Sequence, residues 1–245
     1  MTQLDRTAHA ATAAREVRAW DLPTRLFKWS LVALVAGSWV SYRFADFGLV
    51  WHRFIGYAIL ILLTFRLFWG LVGSSTARFT AWVSAPWTAL RYGLDVARGR
   101  ARPYLSHNPL GAWMIIVLML AVGAQGLAGL FTVDSNGVFG GPFAQLDPLE
   151  DPTRLQRALS SFHHQAYYWL LGLIALHVAV NLFYQFGKGD PIVKAMITGR
   201  KPVEPFADQP EMRPARGEIA RALACLALAA LVVLGTVKVL GGQLL

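Results

Sequence analysis

The sequence predicts an all-α integral membrane protein, built as a four-helix bundle with a fifth transmembrane helix at the C-terminus. The 245 residues are 55% hydrophobic and only 15% charged, and their mean hydropathy is +0.43. Soluble domains usually carry about 25% charged residues. The apolar residues also gather in five runs, each close to the roughly 20 residues that cross a bilayer, at 26–42, 49–72, 111–133, 162–186 and 219–240. Because lipid offers the backbone no hydrogen-bond partners, each run is expected to be helical.

The segments between these runs define the domain organisation. Residues 1–19 are polar and Ala-rich and lead to no small-residue cleavage site, so we expect a retained, poorly ordered cytoplasmic tail. Residues 20–198 hold the first four spans and form the core domain. Residues 199–217 contain four prolines and mixed charges, which is typical of an extended linker. Residues 218–245 carry the fifth span, whose Ala, Leu and Val residues favour either packing within the chain or contact with a partner helix.

The distribution of basic residues predicts the topology. Of the 23 Lys and Arg residues, five lie in 1–28, five in 74–110 and seven in 187–221. The connections on the other side are poor in base, and the loop before the fourth span carries acids, namely Asp134, Asp147, Glu150 and Asp151. By the positive-inside rule, the N-terminus is cytoplasmic and the C-terminus is outside. The surplus of positive charge is therefore a topology signal, and nucleic-acid binding is excluded.

Histidines in the fourth span indicate a cofactor site. His163 and His177 are 14 residues apart, so on a helix they lie about 40° apart on nearly one face, about 21 Å from each other along the axis. An imidazole inside a membrane bundle is costly unless it binds something. By the predicted topology, His52 in "WHRFIGY" opens the second span at the same depth as His163. Two facing neutral imidazoles can bind a haem iron from both sides.

Two other interpretations of these histidines stay open. Zinc usually has about four ligands, and the sequence places no Cys or carboxylate beside these histidines. Structural or proton-relay histidines are the other alternative. The single cysteine, Cys225, excludes a disulfide framework and covalent haem attachment of the CxxC type.

Several stretches carry a family resemblance that covers residues 17 to about 203. They read "VRAWDLPTRLFKW", "WHRFIGYAILILLTFRLFWGLVGS", "HNPLGAWM", "GLAGLF", "FHHQAYYWLLGLIALHVAV" and "AMITGRKP". Together they resemble the bacterial cytochrome b561 family, the four-helix, dihaem group of b-type cytochromes. The resemblance implies haem b between the helices, with one haem near each membrane face. It implies His52 and His163 as iron ligands of the outer haem and His177 as a ligand of the inner one.

This sequence departs from the family pattern at two positions. Where the first-helix motif usually reads "LFHW", this chain has "LFKW", with Lys28 in place of the histidine that would pair with His177. A neutral Lys28 ligates the inner iron, or the inner haem is five-coordinate on His177, or that haem is absent and Lys28 is a positive anchor. The second departure is His164, which stands where relatives usually have an acidic residue.

Further residues are candidates for cofactor contacts. Arg53 is a candidate for haem propionates because arginine binds carboxylates in a bidentate manner, and Arg25 and Arg66 are similar candidates on the inner side. His107 is either a haem-edge or quinone-edge residue or simply part of a helix start with Asn108 and Pro109. The glycines of "GAQGLAG" (123–129) allow either helix packing or contact with a flat cofactor. Five tryptophans near the predicted span ends indicate an aromatic belt, namely Trp20, Trp29, Trp51, Trp69 and Trp113.

Three functions follow as alternatives. The first is a respiratory-chain electron carrier of the bacterial inner membrane, working between the quinone pool and a periplasmic c-type cytochrome or oxidoreductase subunit, which makes it an electron-transfer subunit rather than a stand-alone enzyme. The acidic outer loop could steer a basic partner. The second is a superoxide:quinone oxidoreductase that works at the outer haem. The third is a non-redox membrane assembly protein. A homodimer is compatible with each of these.

Overall fold

The computed structural model describes residues 15–45, 49–133, 140–144 and 153–244. Within these ranges the protein is mostly helical, as the apolar runs predict. The first 14 residues of the expected tail lie outside the described residues, and so do Asp134, Asp147, Glu150 and Asp151 of the predicted acidic loop. Residues 15–19 of the expected tail differ from the prediction, because Glu16–Arg18 form a strand.

Eight helices and two short strands make up the described chain. Most of the predicted apolar runs begin or end within a few residues of a helix boundary. The strands are β1 (Glu16–Arg18) and β2 (Arg200–Pro202), and the helices are α1 (Leu22–Val40), α2 (Val50–Val72), α3 (Phe79–Trp82), α4 (Pro86–Ala97), α5 (Pro109–Gly129), α6 (Arg154–Leu182), α7 (Ile192–Thr198) and α8 (Glu218–Val239). Short π-helical turns extend α1 over Ser41–Ala45 and α6 over Phe183–Gly187.

Four of the described helices are long and apolar enough to cross a membrane. These are α2, α5, α8 and α6 together with its π-helical extension. The chain is therefore a multi-pass, helical membrane protein. The first predicted run, 26–42, is also helical, since α1 covers 19 residues. That α1 crosses the membrane, and that α8 crosses it as a fifth transmembrane helix, remain predictions.

The chain divides into two compact units. The first includes the described part of Met1–Arg25, together with Trp69–Ile116 and His177–Arg221. The second combines the described parts of Leu26–Phe68, Val117–Leu176 and Ala222–Leu245.

In the first unit, the segment predicted as a linker is tied down by hydrogen bonds. Strand β2 pairs with β1 in an antiparallel register that sets Val17 opposite Lys201. The Asp208 carboxylate accepts hydrogen bonds from the Leu105 and Ser106 backbone N–H groups at 2.8 and 3.0 Å, and from the Ser106 hydroxyl. Composition predicted an extended segment. It did not reveal that residues within this segment form hydrogen bonds to other parts of the first unit.

A buried carboxylate organises the start of α1. Asp21 has no exposed surface, and its Oδ1 accepts a 2.6 Å hydrogen bond from the Thr24 backbone N–H, which caps the helix. Its Oδ2 accepts from the Ser74 hydroxyl and from the indole N–H of Trp69. Trp69 is fully buried and Trp20 is 5% exposed, so neither belongs to the aromatic belt that the sequence predicted. Their positions near span ends are explained instead by packing within this unit.

In the second unit, an apolar core connects four helices. Its buried members are Ile59 and Leu63 of α2, Val122 of α5 and Leu170 of α6. Leucines and a valine of α1 pack against them. Burial of side chains of this size contributes roughly 1.5–3 kcal/mol each when the alternative is water. This core packs α1, α2, α5 and α6 against one another.

The C-terminal helix joins a second core in the same unit. Val237 of α8 is buried with Tyr57 of α2 and with Phe143. The Tyr57 hydroxyl donates to the Gln243 carbonyl at 3.2 Å, and the Gln243 N–H donates to the Pro142 carbonyl at 3.1 Å. Helix α8 therefore makes the packing contacts that its composition predicted.

Candidate functional site

The second unit brings His52 and His163 together. His52 lies in the first turn of α2, and His163 lies in the third turn of α6. Their ring centres are 6.2 Å apart, and the ring planes are nearly perpendicular at 88°. Two imidazoles that bind one metal ion from opposite sides, each through a nitrogen at about 2.0 Å, have ring centres about 6 Å apart. The observed spacing therefore suits a shared metal.

Main-chain carbonyls fix the tautomer of both rings. The Nδ1 of His52 lies 3.0 Å from the Ser38 carbonyl oxygen, and the Nδ1 of His163 lies 2.9 Å from the Gln125 carbonyl oxygen. A carbonyl oxygen only accepts hydrogen bonds, so each Nδ1 carries the proton. In a neutral imidazole the electron pair then resides on Nε2, which is the form that binds a metal.

The carbonyls that hold the two rings come from other helices. Ser38 belongs to α1, and its hydroxyl oxygen makes a second contact with the His52 Nδ1, at 3.2 Å. Gln125 belongs to α5 and bonds His163 twice, because its side-chain amide also donates to the His163 carbonyl at 2.7 Å. Four helices therefore position the pair, and each ring is oriented from outside its own helix.

Gly129 gives the His163 ring its space. A Cβ at this position would lie 2.9 Å from Cε1 and 3.2 Å from Nδ1 of His163, closer than ordinary contact. Gly126, one turn away, would meet the Leu60 side chain at 2.9 Å. Of the two explanations for the glycine stripe, helix packing accounts for Gly126, whereas Gly129 accommodates the imidazole.

These residues fit a haem iron better than zinc. Imidazole is a good ligand for iron, and two axial histidines complete a six-coordinate haem. A zinc site needs about four protein or water ligands. Among the described residues, no cluster of three or more His, Cys, Asp or Glu side chains could hold a metal ion. A haem needs few protein ligands, because its own ring nitrogens bind the iron. It therefore matches a site with two histidines.

His164 follows His163 directly but is held differently. Its Nδ1 lies 2.7 Å from the Ser160 carbonyl of its own helix, and the side chain is exposed. Its ring centre is 5.9 Å from that of His163. His164 therefore neighbours the pair without being oriented by another helix.

His177 lies in the first unit and has a different environment. Its Nε2 is 3.1 Å from the side-chain amide nitrogen of Asn181, one turn further along α6, and this nitrogen also donates to the His177 carbonyl at 2.7 Å. An amide nitrogen only donates, so the electron pair on Nε2 accepts this bond. Lys28 is half-buried in α1 and belongs to the second unit. The pairing of Lys28 with His177 remains a prediction.

His107 lies in the first unit between two indoles. Its ring centre is 4.8 Å from that of Trp20 and 5.0 Å from that of Trp82. The next residue caps α5, since the Asn108 side-chain oxygen accepts a 2.8 Å hydrogen bond from the Gly111 N–H. The helix start that "HNP" indicated is therefore present. A contact of His107 with a haem or quinone remains a prediction.

The three candidate arginines differ in burial. Arg53 is half-buried beside His52 in α2, and Arg66 is 2% exposed near the end of the same helix. Arg25 donates a hydrogen bond to the Ile197 carbonyl within the first unit. Propionate binding by any of them remains a prediction.

Sequence reasoning missed Ser38 and Gln125. Both act on the histidines through main-chain oxygens, which every residue has, so no residue type marks them. The Gln125 side chain was the one available signal, because an amide in an apolar span needs a partner.

Comparison with known proteins identifies a family. The family model for prokaryotic cytochrome b561 matches residues 19–199 of this chain. No curated protein and no solved structure matches this chain. The matched range includes His52, His163 and His177 and ends before α8.

Proposed function

The chain belongs to the prokaryotic cytochrome b561 family, and we propose that it carries electrons between the quinone pool and a periplasmic redox partner, either a c-type cytochrome or an oxidoreductase subunit. Family membership makes it a membrane b-type cytochrome. The observation that supports a haem at one defined position is the facing of His52 and His163, whose rings lie 6.2 Å apart. These two side chains are the proposed axial ligands.

The chain's own residues prepare this site before a cofactor binds. The Ser38 and Gln125 carbonyls keep both Nδ1 atoms protonated and both rings oriented. Such hydrogen bonds also raise the basicity of the ligating nitrogen. A haem bound there would supply one-electron chemistry between ferrous and ferric iron. Gly129 leaves the room in which the His163 ring can hold its orientation.

A second haem on His177 remains part of the proposal in two forms. In the first form a neutral Lys28 would hold the iron together with His177, and in the second His177 would be its single protein ligand. In both forms the Asn181 amide has to release the His177 Nε2, which accepts its hydrogen bond in this structure. The alternative is a single haem on His52 and His163, with Lys28 as a cytoplasmic anchor.

The proposed location of electron transfer depends on the charge pattern. By the positive-inside rule, the basic segments favour an inner-membrane protein with its N-terminus in the cytoplasm and its C-terminus in the periplasm. His52 and His163 then lie toward the periplasm, where a soluble partner or a superoxide ion would meet them. A homodimer is compatible with this arrangement.

The first experiment is the haem-to-protein ratio of the purified protein by pyridine haemochrome, with a low-temperature reduced-minus-oxidised spectrum. A ratio near two supports the second haem and a transmembrane electron path. A ratio near one restricts the haem to the paired histidines. The absence of any b-type signal would contradict the proposal.

Single substitutions then test the ligands. His52→Ala and His163→Ala are each expected to remove the low-spin signal of the paired site, because the iron loses an axial imidazole. His164→Ala is the matched control, since its ring is held within its own helix. If the signal survives both His52→Ala and His163→Ala, the ligand assignment is wrong.

Partner specificity needs a separate measurement. We expect a quinol added to proteoliposomes to reduce the haem, and an oxidised c-type cytochrome added on the periplasmic side to reoxidise it. If quinol reduces the haem but the c-type cytochrome does not reoxidise it, electron exchange with quinone is supported and the c-type cytochrome is excluded as the partner.

A further inference from the structure

Helix α4 carries an exposed apolar stripe outside the spans. Trp87, Leu90 and Leu94 are 62%, 70% and 54% exposed. At about 100° per residue, these three side chains fall within about 60° of one another on the helix surface. The described chain thus presents a large indole and two leucines side by side on one extramembrane helix of the first unit.

The opposite side of α4 is anchored to the first unit. Ala89 is 5% exposed and Tyr92 is 8% exposed. The Tyr92 ring packs edge-on against Tyr104 at 5.6 Å between centres. The orientation of the helix is therefore fixed, and the apolar stripe faces away from the packed side.

Arginines border the stripe. Arg91 and Arg98 are exposed and lie about 40° from Trp87 and Leu94, respectively. Arg100 and Arg102 follow directly and are also exposed. Asp95 is the only acidic residue from Pro86 to Arg102. The apolar stripe and the positive charge therefore occupy adjacent sectors of one short segment.

The length of α4 decides between spanning a membrane and lying on one. Its 12 residues extend about 18 Å, well short of the roughly 30 Å hydrocarbon core. A helix that combines Trp and Leu on one side with arginines beside them is typical of the membrane interface. Four other helices are long and apolar enough to cross a membrane, so a bilayer surface is at hand.

We propose that α4 lies in the membrane interface, with Trp87, Leu90 and Leu94 in the acyl region and the arginines on the phosphates of anionic phospholipids. Charge complementarity favours an anionic lipid surface over an apolar protein surface. The stripe is bordered by four arginines and a single acidic residue, and an apolar protein surface would leave these positive charges without negative partners. The proposal does not depend on the haem ligands.

The experiment uses the full-length protein in nanodiscs, with Cys225→Ser as background. Nitroxide labels at Leu90→Cys and, as the matched control on the same helix, at Asp95→Cys are compared by EPR. Collision with oxygen reports lipid exposure, and collision with a nickel chelate reports water exposure. We expect oxygen to dominate at position 90 and nickel at position 95 in phosphatidylglycerol-containing nanodiscs.

Charge removal tests the anionic lipid. Each arginine near an anionic surface favours the bound state about fivefold, so Arg91→Gln with Arg98→Gln should lower the ratio of docked to undocked α4 more than about tenfold. Arg213→Gln with Arg216→Gln removes equal charge from exposed sites elsewhere in the same unit and should leave this ratio unchanged. Pure phosphatidylcholine nanodiscs should reproduce the first result with the unsubstituted arginines. Helix content by circular dichroism checks that all variants fold.

Three outcomes would overturn the proposal. Equal accessibility at positions 90 and 95 would show that the stripe does not enter lipid. Shielding of position 90 from both reagents would show that protein covers it, either a second copy or another partner. An equal ratio of docked to undocked α4 with and without phosphatidylglycerol would show that anionic lipid does not hold the helix at the membrane.

Discussion

The paired histidines and His177 are held in opposite ways. At His52 and His163, the Nδ1 atoms donate to carbonyls of neighbouring helices, so Nε2 carries the electron pair. At His177, the electron pair of Nε2 accepts a hydrogen bond from Asn181 of the same helix. The first arrangement needs tertiary packing and prepares a ligand. The second forms within a single turn and competes with one.

This difference shows that a histidine on an apolar face is not yet a ligand. His163 and His177 lie on nearly one face of α6 and look alike in the sequence. Their tautomers and partners depend on what packs against each ring. The four predictions below test this comparison, from the largest expected effect to the smallest.

Replacing Lys28 should change the His177 site most. Lys28→His supplies the imidazole that the family pattern has at this position, so we expect a second bis-imidazole, low-spin signal and a haem-to-protein ratio near two. Lys28→Ala should alter the second signal if the lysine is a ligand. An unchanged spectrum in both variants would eliminate Lys28 as a ligand.

Filling the space beside His163 should weaken the paired site. Gly129→Leu pushes a side chain against the imidazole, and overpacking of this kind costs about 1–3 kcal/mol. We expect the haem affinity of the paired site to fall at least about fivefold, measured by haem titration of its low-spin signal. Gly172→Leu on α6 is the control, because nothing lies within 4 Å of a Cβ there. Equal losses in both variants would point to helix disruption instead.

Releasing His177 from its neighbour should strengthen that site. Asn181→Leu removes a hydrogen bond worth about 0.5–1.5 kcal/mol, so haem affinity at His177 should rise about twofold to tenfold. Haem titration of the Lys28→His protein measures this rise. Gln165→Leu is the control, since this amide also bonds one turn back within α6, to Ser161. A fall in affinity would mean that Asn181 supports the ligand form of His177.

Removing the Ser38 hydroxyl should have the smallest effect. Ser38→Ala deletes the 3.2 Å contact to the His52 Nδ1 and leaves the 3.0 Å bond to the carbonyl. We expect an unchanged haem-to-protein ratio and only a slight shift of the midpoint potential in a redox titration. Loss of haem would show that the hydroxyl, rather than the carbonyl, orients the ring.

Packing in the first unit illustrates a limit of composition. Trp20 and Trp69 sit near span ends, where an aromatic belt is the usual explanation, yet both are buried. The segment 199–217 has the composition of a linker, yet Asp208 bonds the backbone at Leu105 and Ser106. Both outcomes depend on contacts between residues far apart in the chain, which local patterns do not record.

The sequence by itself determined the membrane class, the helical runs, the start of α5 at Pro109 and the family. These features depend on hydrophobicity, on local capping and on residue types at fixed spacing, all of which are readable along the chain. Tertiary structure alone decided which nitrogen of His52 and of His163 bears the proton. The carbonyls of Ser38 and Gln125 do this, and a carbonyl has no signature in the sequence because every residue carries one.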